Sequence, residues 1–127
     1  MSKPKILELE DKFQELKDRV HNKHTLFSGA LFDSTGSGVE TDLSGNASDY
    51  NFFIARIRKW NGQEQTTVVI SALDTFQYFM FPSLNYAFNA YFAIAISSDN
   101  KLKFQMGTIQ GWDSNPNQIQ VEEVWGI

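Results

Sequence analysis

An antiparallel β-sandwich of the jelly-roll kind, with about eight strands behind a short N-terminal coiled-coil helix, is the fold class this sequence predicts. Three observations carry the expectation. After residue 24, short apolar-rich runs are interrupted by Gly, Asn, Asp and Ser about every eight to twelve positions. Eleven Phe among 127 residues, with 42% hydrophobic residues in all, supply enough apolar surface for a core and exclude a disordered chain. The opening stretch "ILELEDKFQELKDRV" spaces Ile6, Leu9, Phe13, Leu16 and Val20 by alternating steps of three and four, the a/d rhythm of a coiled coil.

Taken in order, Ser2 is a candidate N-cap and Pro4 fits the first helical turn, where backbone N–H groups lack partners. The helix is expected to run from Lys5 to about Asn22. Its seam of Ile6, Leu9, Phe13, Leu16 and Val20 is narrow, unlike the broad apolar face of a helix docked on its own domain, which is the alternative. The mixture of Ile, Phe and Val at a with Leu at d does not choose between two and three strands. Residues 1–24 thus form an assembling helix and residues 25–127 a β domain, joined through "HNKH" with little room for a tether.

Within the β domain, "TLFSGALF" is the first strand and "DSTGSG" its closing loop; "VETDLS" is a short second strand before the turn-rich "GNASD". "YNFFIARIRKW", the hairpin signal "NGQ" and the β-branched "TTVVISAL" make the third and fourth. "FQYFMF" runs into Pro82, which ends or bends a strand. "YAFNAYFAIAIS" sets Phe88, Ala90, Phe92, Ile94 and Ile96 on one face. After the turn "SDN", "KLKFQMGTI" turns Leu102, Phe104 and Met106 inward and Lys101, Lys103 and Gln105 outward; past "GWDSNPNQ", "IQVEEVWGI" is the last strand.

Charge narrows the range of partners. Residues 24–127 carry five Lys/Arg against ten Asp/Glu, an acidic domain that repels phosphate backbones and argues against nucleic acid. With no cysteine there is no disulfide, thiolate metal site or thiol catalysis. The longest apolar run, "YAFNAYFAIAIS", falls well short of the roughly 20 residues of a membrane span. No apolar signal-peptide core precedes the charges of the amino terminus, so the expectation is a chain made in the cytoplasm without a secretory address and without membrane insertion.

The residues "TLFSGAL…G…DLS…SDYNFFIARI", then "TTVVISAL", a long aromatic-rich strand and a last strand ending "VWGI" resemble a known pattern. It is that of the small β-sandwich head domains of tail, baseplate and fibre proteins in phages and prophages of Gram-positive bacteria. The resemblance covers roughly residues 25–127, with the helix in its expected place before it. It implies a parallel coiled coil leading into a head, a homotrimer about the axis, other tail and baseplate proteins as partners and the virion as location. It also implies a role in binding host cell-wall saccharide or in building the tail tip. No binding motif of that family transfers to numbered positions here. The tumour-necrosis-factor-like trimeric jelly rolls share the outline but not the setting, since this chain lacks their secretory context.

Residues that carry chemistry are few. The two histidines, His21 and His24, flank the helix exit, either solvated or, repeated about an axis, holding a metal or an anion. Glu122 and Glu123 are adjacent on a strand and are expected on opposite faces, which removes the paired carboxylates of a glycosidase. Asp33, Asp42, Asp49 and Asp113 lie in or beside turns, where Asp bonds locally, and "DSTGSG" has one carboxylate where calcium wants several. The expectation is therefore no enzyme, no cofactor and no metal. Arg56 and Arg58 share a face, read as solvated or ion-paired between subunits rather than as an anion site, and Trp125 as core or interface. Saccharide contact falls to Trp60 with Asn61 and to Trp112 with Asp113, where an indole ring meets planar amides and a carboxylate at strand ends.

Overall fold

A computed structural model describes residues 5–21, 23–59, 64–81, 88–111 and 119–127, with side chains over 7–15, 23–59, 64–81, 90–107 and 119–127. The expected cap at Ser2 and Pro4, and the "NGQ" turn, lie outside the described residues. Helix α1 (Lys5–His21) is followed by β1 (His24–Phe32), β2 (Val39–Asp42), β3 (Phe53–Lys59), β4 (Gln65–Ile70), β5 (Gln77–Phe81), β6 (Phe88–Ile96), β7 (Lys101–Gly111) and β8 (Ile119–Gly126). These are the eight strands expected from the sequence. They form two four-stranded antiparallel sheets, ordered β1-β8-β3-β4 and β2-β7-β6-β5. The nesting of β1 on β8 and of β2 on β7 is the jelly-roll feature. β3–β4, β5–β6 and β6–β7 are instead sequence neighbours paired directly, and the turn 97–100 closes β6–β7 locally.

The core lies between the sheets and follows the period-two alternation. Phe53, Ala55 and Ile57 of β3 and Val121 and Val124 of β8 face Phe92, Ile94 and Ile96 of β6 and Leu102, Phe104 and Met106 of β7; all are buried. Phe92 sits between Phe79 and Phe104, each ring centroid 5.7 Å away. The inward faces expected for β6 and β7 are present over the described side chains. On the outward side of β6, Ala93 and Ala95 are buried too. Their methyls lie in register with taller neighbours, Tyr78 and Gln105 beside Ala93 and Lys103 beside Ala95.

Two bulges re-aim side chains. In β8, Glu122 and Glu123 together oppose Arg56, the register shifting by one between Arg56↔Glu123 and Ile57↔Val121. The two carboxylates are therefore on the same outward face, correcting the expectation that adjacent strand residues point apart. In β7, Gly107 and Thr108 together oppose Tyr91.

The β1–β2 connection is held by a buried carboxylate. Asp33 accepts from the backbone N–H groups of Thr35, Gly36 and Gly38, from the Thr35 hydroxyl, and from Met106 N–H of β7 at 3.1 Å. Burial pushes its pKa up, but the donors outweigh this and hold it below the ordinary carboxylate value. The loop's positive-φ positions are both glycine, Gly36 at 78° and Gly38 at 101°.

At the far end of β8, Tyr50 covers Gly126, where any Cβ would run into the phenol ring. The same ring meets His24 and Phe53. His24 is thus the first residue of a strand and not a helical partner of His21, which removes the i, i+3 geometry expected for the pair. Among the described residues no cluster of three His, Asp or Glu is placed to hold a metal.

Candidate functional site

Strand pairing gives the sandwich two distinct ends. β1 enters at the end where His24 pairs with Gly126. The other end of β8 is marked by the Lys59↔Ile119 pair, and there β3 leads to β4, β5 to β6 and β7 to β8. Trp60 and Asn61 follow β3 in sequence, and Trp112 and Asp113 follow β7. All four lie outside the described residues, but the strand ends that flank them are at the end away from the helix.

Of the seam residues, Leu9 and Phe13 are 66% and 64% exposed, so the β domain does not cover them. Ile6, Leu16 and Val20 lie in α1, whose backbone carries the predicted helix, while their side chains are outside the described set. The docked-helix alternative needs an apolar face laid on the sandwich, and these exposures count against it.

On the outer face of the β1-β8-β3-β4 sheet, Arg56 Nη2 lies 2.9 Å from Glu123 Oε1 and 3.4 Å from Glu122 Oε1. Arg58 Nε lies 2.8 Å from Glu122 Oε2. The arginines are thus ion-paired within the chain, made possible by the bulge that brings both carboxylates to this face. Trp125, only 7% exposed, lies next along β8 with Lys23 Nζ 4.0 Å from its ring centroid and the Arg56 guanidinium at 5.6 Å. Its burial is on the outer face, under cations, and not in the inter-sheet core.

The outer face of the other sheet is different. Tyr78 and Met80 of β5 and Tyr91 of β6 stand beside a low floor made by Ala93 and Gly107, forming an open groove of about 480 Å³. Tyr78 is 81% exposed. Gln105 closes one side, its Nε2 donating to Gly36 O at 3.0 Å. Gly36 belongs to the loop that Asp33 ties to Met106, so the amide is anchored on a loop whose buried carboxylate holds the backbone of the next residue along β7. Sequence reading missed this groove. Tyr78 and Tyr91 are thirteen positions apart and converge only through the β5–β6 pairing; the available signal was an exposed aromatic-rich "FQYFMF" strand with two outward residues too apolar for solvent.

Family models, curated proteins and solved structures were all compared with the chain, and none matches.

Proposed function

We propose that this chain is a trimeric head module of a phage or prophage tail or baseplate, serving host adsorption by recognising cell-surface saccharide, with no catalytic activity of its own. The observation that carries the reading is polarity along the molecule. An exposed apolar seam, Leu9 and Phe13, leads into one end of a sandwich. The strand ends at the other end carry the segments with Trp60, Asn61, Trp112 and Asp113. A parallel bundle of helices gathers the heads about an axis and turns that end of each sandwich outward. Three copies of a weak site then act together, a gain of about 10²–10⁴ in avidity over one site. The number three and the phage setting come from the family resemblance of the β domain; the partners in that setting are neighbouring tail and baseplate proteins.

The mass of the full chain in solution tests the assembly: three chains are expected, and a monomer defeats the reading. Phe13→Asp combined with Leu16→Asp is expected to lower that mass to one chain while the β domain stays folded. Sedimentation with isolated Gram-positive cell walls then tests recognition. Retained incorporation into particles without wall binding favours a purely structural virion component making protein–protein contacts in the tail tip.

A further inference from the structure

We infer that the groove on the outer face of β5, β6 and β7 is a binding site for an uncharged pyranose. The inference deepens the saccharide reading of the head and rests on it, but the site is distinct from the strand-end tryptophans.

Three features mark a built site. The first is the aromatic wall. Tyr78 and Met80 are exposed at 81% and 54%, and Tyr91 at 46%. Neutral apolar groups left in water on a strand invite edge and face association, so sheets that have no use for them carry charge there. This same sheet does so a few positions away, with Lys101 Nζ 2.6 Å from Asp42 Oδ1.

The second is the floor. The β7 bulge places Gly107 against Tyr91, where an added Cβ would meet Tyr91 O at 3.1 Å, and Ala93 supplies only a methyl. A bulge of this kind turns a side chain out of the regular pleat. Gly107 lets β7 approach the Tyr91 backbone closely, and the methyl of Ala93 leaves the space between the taller flanking residues open.

The third is the fixed polar group. Gln105 is held by Gly36 O, leaving its amide oxygen and second N–H for a ligand, and that anchor is itself secured by Asp33. Preorganisation of this sort lowers the entropic cost of binding.

The chemistry of the lining selects the ligand class. Among the described residues that line it, none is charged: two phenols, two phenylalanines, two methionines, an amide and two small residues. An anionic polymer finds no cation there, and the acidic β domain repels it. A pyranose presents a C–H face to stack on a phenol ring and hydroxyls at its edge for the amide. The volume of about 480 Å³ lies within the roughly 300–1,000 Å³ of small-molecule sites.

Saturation-transfer NMR on the full chain, with the methyl glycosides of glucose, galactose, N-acetylglucosamine and rhamnose as probes, tests it. At least one glycoside is expected to bind, and Tyr78→Ala, which removes an exposed ring and leaves the fold intact, is expected to weaken it about tenfold. Gln105→Ala gives a second, independent loss. Glycerol phosphate is expected not to compete; its displacement of the glycoside overturns the uncharged assignment. Glycoside binding unchanged in both variants but lost in Trp112→Ala overturns the groove and leaves the saccharide reading intact. Wall binding without any glycoside signal also overturns the groove alone. Absence of both wall and glycoside binding overturns the groove and the saccharide reading together.

Discussion

The two outer faces of the sandwich each belong to a four-stranded antiparallel sheet, yet they end in opposite states. On the β1-β8-β3-β4 sheet, Arg56 and Arg58 meet Glu122 and Glu123, and Trp125 is covered by Lys23 and Arg56. That face pairs its charges within the chain. On the β2-β7-β6-β5 sheet, Tyr78, Met80 and Tyr91 remain in water around a floor of Ala93 and Gly107. The contrast comes from two bulges with different contents. One inserts a glutamate and completes an ion-pair ladder; the other pairs a glycine with a tyrosine and opens a groove. The same backbone irregularity closes one surface and opens the other, according to the side chain it carries.

Substitutions at four positions sharpen or break this comparison. The largest effect is expected where both faces share support. Phe92→Ala removes a fully buried ring between Phe79 and Phe104 and should cost about 3–5 kcal/mol by urea denaturation, disrupting both faces together. Next is Asp33→Ala, which leaves the buried Met106 N–H without its acceptor and should cost about 1–3 kcal/mol. It also loosens Gln105, so glycoside binding should fall although Asp33 touches no ligand.

The carboxylate of Asp33 adds a pH dependence. Its folded pKa is depressed, so its stabilising contribution is complete above the unfolded value of about 3.9 and declines as pH falls from there through the lower folded value. Asp33→Asn should flatten that acid limb of the denaturation midpoint; an unchanged limb means another carboxylate is responsible.

A smaller effect is expected on the paired face. Arg56→Met leaves Glu122 and Glu123 side by side and should cost about 1 kcal/mol, less at high salt, because the groups are only partly buried. The smallest belongs to the groove. Tyr78→Ser should change stability by less than about 0.5 kcal/mol, since the ring is almost wholly in solvent. A cost above about 1 kcal/mol would give Tyr78 a structural role and remove the distinction between the faces.

Much of the architecture was legible because it depends on local period. The alternation in "KLKFQMGTI" assigns Leu102, Phe104 and Met106 inward, and they are buried. The heptad spacing predicts a helix from Lys5 to about Asn22, and α1 spans Lys5–His21. The candidate site was legible only in kind. The sequence pairs an aromatic ring with an amide or carboxylate along the chain, where Trp60 adjoins Asn61 and Trp112 adjoins Asp113, all outside the described residues. The groove's Tyr78, Tyr91 and Gln105 come from three strands and share no sequence window.

The amino-acid sequence by itself determined the eight strands, the helix and the inward sides of β6 and β7, because those follow from dihedral preference and the hydrophobic effect acting over a few residues. The tertiary structure alone decided which outward residues meet. A bulge adds one residue to one strand, and from there its pairing and side-chain direction change. That single-residue slip put Glu122 beside Glu123 and Gly107 against Tyr91. The reach of Asp33 to Met106, 73 positions away, has the same origin. Such contacts are set by register between strands far apart in the chain, a quantity that no local pattern encodes.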